Sequence, residues 1–203
     1  MKINYTEEQL IEFETDIANC FNRSMIKAPI HLYYGNETQM IDVFKSVNSE
    51  DWVFCTWRSH YQCLLKGVSK EELKKDILEG KSITLCYPEH KIFSSAIVGG
   101  NIPIATGVAL DIKRKGEKNH VWCFVGDITS ETGTFYENHK YAVNHDLPIT
   151  YIVENNGKSV CTDTFKVWNI KELTYSKQNI DKVIYYEYET KYPHAGSGKR
   201  IQF

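Results

Sequence analysis

No stretch of the chain approaches the roughly 18 consecutive apolar residues of a membrane-spanning helix, so no membrane association is expected. Basic charge is not in excess either. The formal net charge is −2, and with no surplus of lysine and arginine to neutralise a phosphate backbone, nucleic acid is not an expected partner. The six cysteines (Cys20, Cys55, Cys63, Cys86, Cys123 and Cys161) form no C-x-x-C pair, which removes metal-type and redox spacing. Most read as small hydrophobes in reduced surroundings, since Cys55, Cys86 and Cys123 lie in or beside apolar runs. Neither G-x-x-x-x-G-K-S/T nor G-x-G-x-x-G occurs. Repeats, low-complexity tracts and Pro/Gly/Ser-rich linkers are missing as well. The opening run MKINYTEEQLIEFE is acidic and amphipathic, unlike a signal peptide, so a cytoplasmic location is the default expectation.

What is present is an ordinary globular composition, 42% apolar and 13% aromatic over 203 residues. That length suits one domain, or one with a small appendage, and buries roughly 70% of the unfolded surface. Short apolar runs alternate with helical stretches, the pattern of an α/β fold with a mostly parallel sheet and helices on both faces. Helices are expected over residues 6–25 (Thr6 capping, Glu7 and Glu8 in the first turn), 36–47, 59–66, 69–78 (Ser69 with Glu72, a capping box), 101–113 and 132–144. Buried strands are expected at 52–55, at 121–125 ending on Gly126, at 148–153 and at 183–189. Residues 191–203 read as a polar tail. The stretch from Val121 to Val153 is then a β-α-β unit whose two strands should be neighbours.

In that unit Asp127 follows the carboxyl end of one strand, and Asn155-Asn156 follow the end of the next. Ligands of open α/β sheets bind at this edge. Taken singly, Gly-Asp and Asn-Asn are turn residues. Together, a carboxylate and an amide oxygen from adjacent loops can converge on a hard cation such as Mg²⁺. Gly126 is expected to permit a sharp turn, and the helix start near Thr132 to offer N–H groups to an anion.

The run VGDITSETGTFYENHKYAVNHDLPITYIVENN resembles the thiamine diphosphate motif, Gly-Asp-Gly through Asn-Asn. In detail it is similar to the alpha subunits of the 2-oxoacid dehydrogenases of pyruvate, branched-chain and acetoin type. Gly133, Phe135, Glu137, Leu147 and Pro148 fill that family's places without a gap. The resemblance implies the thiamine diphosphate-binding fold of the diphosphate type over a single domain, residues 1–203. It would carry an N-terminal helical segment over about 1–30 and an active-site loop over about 190–203. It also implies Mg²⁺ held by Asp127, Asn156 and the backbone carbonyl of Lys158, with Gly126 and Ile128 against the cofactor. Ile128 stands where the family has Gly.

Three further segments carry the resemblance. TWRSHYQCLLKGVS is similar to a Tyr-Arg-x-His-x-x-x-Leu-x-x-Gly segment, which implies that Arg58 pairs with the diphosphate, with His60 a second catalytic candidate. A planar guanidinium fork suits phosphate oxygens. Trp57 stands where Tyr is usual, so a hydroxyl contact is lost. FSSAIVGGNIPIATGVAL resembles the family's Gly-Ile-Val-Gly-x-Gln-x-Pro-x-Ala-x-Gly-x-Ala segment, which implies that Ala96 and Val98 lie against the aminopyrimidine ring, while the helical positions after them read as core. YEYETKYPHAGSGKRIQF resembles the segment with the family's active-site His, which falls on His194, with Arg200 at a later loop Arg. The other histidines match nothing and read as structural.

The activating Glu of such heteromeric enzymes lies on a beta subunit, and no second domain is legible after Asn156. The expectation is therefore an alpha subunit, inactive alone and working as α2β2, that decarboxylates a small 2-oxo acid and passes the acyl unit to a lipoyl carrier protein. The alternatives are half of a split transketolase-like or non-oxidative decarboxylating enzyme, and a non-catalytic phosphate- or nucleotide-binding module.

Overall fold

The computed structural model describes residues 4–177 and 179–202. The first three residues of the expected N-terminal segment and Phe203 of the expected loop lie outside them. In chain order the elements are α1 (Glu7–Asn22), α2 (Glu37–Phe44), β1 (Trp52–Cys55), α3 (His60–Leu65), α4 (Lys70–Leu78), β2 (Cys86–Tyr87), β3 (Ile92–Ser94), α5 (Asn101–Lys115), β4 (Val121–Gly126), α6 (Asp127–Ser130), α7 (Gly133–Asn144), β5 (Ile149–Asn155), β6 (Lys158–Ser159), β7 (Thr162–Asp163), α8 (Thr164–Trp168) and β8 (Val183–Glu187).

Helix α1 begins where Thr6 and Gln9 bond reciprocally: Gln9 N–H donates to Thr6 Oγ1, and Thr6 N–H to Gln9 Oε1 at 3.0 Å. It stops short of Met25 because Ser24 turns left-handed at φ +58°. Ser69 caps α4 by accepting from Glu72 N, and Gly116 closes α5 at φ +67°, two residues beyond the expected end plus its cap.

Six strands form one sheet in the order β2-β3-β1-β4-β5-β8, parallel at every pairing except β2 with β3. The neighbours β4 and β5 are the two strands of the expected β-α-β unit. Along β4 the side chains alternate between two cores. Trp122 and Phe124 join Val53 and Ile152 under α1–α4, while Val121, Cys123 and Val125 join Phe54 and Tyr151 under α5 and α7. That alternation makes the three-layer α/β arrangement. Each fully buried Leu, Ile or Phe contributes about 1.5–3 kcal/mol; Leu10, Ile17 and Phe13 do so for α1.

The structure departs from the sequence reading at several points. Strands β2 and β3 are two and three residues long around Pro88, too short to show a period, yet β3 pairs in parallel with β1. Cys86, on the edge strand β2, is exposed, as is Cys161, whereas the other four cysteines are buried. Residues 191–202 are not a free polar tail. Gly196 N–H donates to Ile30 O at 2.9 Å, His31 and Gly196 form a parallel bridge, and Ser197 Oγ bonds Asn22 Oδ1.

Candidate functional site

The chain runs from β1 to β3 on one side and then crosses to β4 on the other, so the order reverses between β1 and β4. At such a switch point the loops at the carboxyl ends diverge and open a crevice. A cavity of about 220 Å³ lies there. Its walls come from the carboxyl ends of the parallel strands: Trp57 and Arg58 after β1, Val98 and Gly99 after β3, Asp127 and Ile128 after β4, Glu154 and Asn156 at β5, Tyr188 after β8.

Asp127 opens α6 and is 2% exposed. Its Oδ2 accepts from Thr164 Oγ1 at 2.5 Å. Burial raises its pKa, opposed by that hydroxyl and by backbone N–H groups, including those of Asn156 and Ile128. Among the described residues no Lys, Arg or His lies within ion-pair distance of it. A buried carboxylate served only by neutral donors is costly, and a cation offsets that cost. No group of three or more His, Cys, Asp or Glu clusters anywhere among the described residues. A cation here would therefore take one carboxylate with amide and carbonyl oxygens, an all-oxygen set that suits Mg²⁺.

Asn156 turns its side chain to the cavity, with Nδ2 donating to Tyr188 Oη at 3.2 Å and Oδ1 accepting from Lys158 N at 3.1 Å. One lone pair on Oδ1 stays available. Asn155 is turned away, bonded to Tyr185 Oη and Gly157 N. Lys158 lies in β6 and lines the cavity, as does Ile128. Gly126 is not the sharp turn expected of it, because φ −78° and ψ 162° are open to any residue. A Cβ there would meet nothing within 4 Å. What the glycine does is leave space in the cavity wall. Nor does Thr132 serve the site, since its hydroxyl accepts from Phe135 N at 3.3 Å and caps its own helix; the helix start at the cavity is that of α6.

Arg58 Nε donates to Leu32 O at 3.1 Å, its one side-chain hydrogen bond among the described residues, and its guanidinium lies 5.7 Å from the Tyr33 ring. Burial works against its charge, and the neighbouring Tyr188, Tyr33, Glu154 and Glu14 outweigh that, so its pKa is raised. Trp57 and His194 both line the cavity with ring centroids 5.6 Å apart. Burial, then Arg58, lowers the His194 pKa, keeping the imidazole neutral near pH 7. Val98 lines the cavity; Ala96, exposed on the same loop, does not.

His60 has to be withdrawn from the catalytic set. It is fully buried, with Nδ1 3.0 Å from Glu14 Oε2 and Nε2 2.9 Å from Ser82 Oγ, and it does not reach the cavity. Glu154, which the sequence reading did not single out, lines the cavity, and His31, read as structural, lies behind its wall against His194 and Trp57. His31 is 6% exposed, with its ring 4.5 Å from that of His194 and Nδ1 2.5 Å from His194 O. Burial, only partly offset by that carbonyl, brings its pKa to about 4. Glu154 lines the cavity and accepts from Tyr33 Oη, Asn36 Nδ2 and Tyr186 Oη. Burial raises its pKa to about 7 against those donors and Arg58. An acidic residue inside the buried run of β5 was the available signal for it.

Fold and site together define an α/β domain with a polar crevice, lined by Arg58, Asp127, Glu154 and Asn156, at the carboxyl edge of its sheet. A family model described as "Dehydrogenase E1 component" matches residues 5–181, and the chain belongs to that family. The alpha subunit of acetoin:2,6-dichlorophenolindophenol oxidoreductase from Bacillus subtilis is 30% identical over 161 residues, 74% of this chain and 48% of that protein. The pyruvate dehydrogenase E1 component subunit alpha of Porphyra purpurea is 30% identical over 182 residues, 76% of this chain and 53% of that protein. The chain thus spans about half the length of these curated relatives. A solved structure of a putative thiamin diphosphate-dependent enzyme from Mycobacterium smegmatis overlaps 66% of this chain and 22% of its own, at TM-score 0.42 and 18% identity, a likeness too slight to bear on function.

Proposed function

We propose that this chain is a single diphosphate-type domain serving as the alpha subunit of a heteromeric thiamine diphosphate enzyme. The enzyme decarboxylates a 2-oxo acid and passes the acyl unit to a lipoyl carrier, and a beta subunit completes the site in an α2β2 assembly. The observation that carries this reading is the convergence of Asp127, a buried carboxylate with only neutral donors among the described residues, with Asn156 and Arg58 in one crevice. The relatives' names, both alpha subunits of oxidoreductases, support it. So does the cavity's volume of about 220 Å³, below the roughly 300–1,000 Å³ of complete ligand sites: it suits the charged end of a larger molecule.

When bound, thiamine diphosphate supplies the carbonyl chemistry of the reaction. The chain's own groups hold and orient. Asp127, the Asn156 amide oxygen and the Lys158 carbonyl would take Mg²⁺, and Arg58 would face phosphate oxygens with its free terminal N–H groups. Gly126 would let the ligand approach the backbone, with Ile128 and Val98 forming apolar wall. His194, neutral near pH 7, can accept or return a proton at an imidazole nitrogen.

The test is turnover. The purified chain with Mg²⁺ and thiamine diphosphate should leave pyruvate and other 2-oxo acids untouched, and co-purification with a beta subunit should confer consumption that rises with lipoamide. Decarboxylation by the chain alone would overturn the two-subunit reading.

A further inference from the structure

Tyr188 lies one residue past β8, anchored where its backbone N–H donates to Asn155 O at 2.9 Å. Tyr188 is 8% exposed and lines the same cavity as Arg58 and Asn156. Asn156 Nδ2 donates to the phenol oxygen at 3.2 Å, so at that contact the hydroxyl is the acceptor. Its own O–H has no acceptor among the described residues. The same holds for the terminal N–H groups of Arg58, whose Nε alone is bonded, to Leu32 O. The two groups are close enough for Tyr188 to be the foremost electrostatic influence raising the Arg58 pKa. A phenol is a neutral O–H donor at physiological pH, and a guanidinium is a donor only. Two adjacent donors with spare capacity, one of them cationic, in a largely buried wall call for an oxyanion. The cavity's carboxylates do not fill that role: Asp127 is bonded to Thr164, and Glu154 to Tyr33, Asn36 and Tyr186. Trp57, beside Arg58 in sequence, brings no hydroxyl and packs its ring against His31 and His194.

We infer that the Tyr188 hydroxyl donates to a phosphate-type oxygen of the ligand and forms with Arg58 a two-residue clamp on its anionic end. Asn156, by donating to the phenol oxygen, fixes the direction in which that hydroxyl points. This rests on reading the crevice as a diphosphate site. It adds a ligand-binding residue from the segment just after β8, which carries none of the other expected diphosphate or Mg²⁺ contacts.

The experiment titrates the full chain calorimetrically with inorganic pyrophosphate in Mg²⁺, as wild type and as Tyr188→Phe, with thermal unfolding of both. A hydrogen bond to a charged acceptor predicts about tenfold weaker pyrophosphate binding for Tyr188→Phe at an unchanged unfolding temperature. Equal affinities overturn the clamp and leave the diphosphate reading standing. Weaker binding with a lowered unfolding temperature assigns Tyr188 to packing and overturns it too. Failure of the wild type to bind either pyrophosphate or thiamine diphosphate overturns the diphosphate reading, and the clamp with it.

Discussion

Two polar clusters in this chain use the same kinds of group to different ends. Under α1, His60, Glu14 and Ser82 are at most 1% exposed, and each finds its partner within the cluster: both imidazole nitrogens are engaged, and the second Glu14 oxygen accepts from Tyr33 N. At the carboxyl edge, Asp127 has only neutral donors, Arg58 is bonded through Nε alone, and His194 sits half-buried at the cavity wall. A closed set of buried donors and acceptors holds a core together. An open set, with capacity left over and access to a crevice, is suited to a ligand. Residue type does not separate the two clusters; partner accounting does.

The comparison breaks if the closed cluster affects binding. His60→Ala leaves Glu14 Oε2 without its partner and opens a void in a fully buried place. It should cost about 3 kcal/mol, a fall of roughly 10 °C in unfolding temperature, while calorimetric affinity for pyrophosphate stays at the wild-type value. Lost affinity in a folded variant would return His60 to the site.

A second test uses pH. His31 has a folded pKa of about 4 against an ordinary 6.5. Between those values the unfolded chain binds the proton and the folded one does not, so stability is full above pH 6.5 and falls as the pH drops toward 4. The total loss is about 3 kcal/mol. Denaturant melts of His31→Gln across that window should show a shallower slope than wild type; parallel slopes would mean His31 is not held neutral.

The smallest effect belongs to Gly126→Ala. With an unstrained backbone and no atom within 4 Å of the added methyl, the unfolding temperature should not move. Pyrophosphate and thiamine diphosphate should bind several-fold more weakly, by roughly 1 kcal/mol of crowding. Unaltered binding would show that the ligand does not approach this stretch of backbone.

Much of this was legible in the sequence because it is local. Long periodic segments gave α1, α5, β4 and β5, and the β-α-β unit forced Asp127 and Asn156 to one edge of the sheet. What was not legible depends on distant pairing. Strands β2 and β3 exist through their pairing with each other and with β1, which no short run can announce. His60 stands two residues after Arg58, but α3 begins at His60 and turns it into the core toward Glu14, 46 residues away. His31 gained its place only because residues 194–196 fold back across it, 163 residues along the chain. Glu154 lies just past the expected strand 148–153, and its role depends on β5 running on to Asn155 and on Tyr33, Asn36 and Tyr186, which surround it.

In the proposed function, Asp127 holds a cation beneath a diphosphate. The test is calorimetric titration of the chain, with the proposed beta subunit, using thiamine diphosphate in the presence and absence of Mg²⁺, for wild type and Asp127→Ala. Mg²⁺-dependent binding is expected of the wild type, and none of a folded Asp127→Ala. Binding by Asp127→Ala with wild-type affinity and unchanged Mg²⁺ dependence would contradict it.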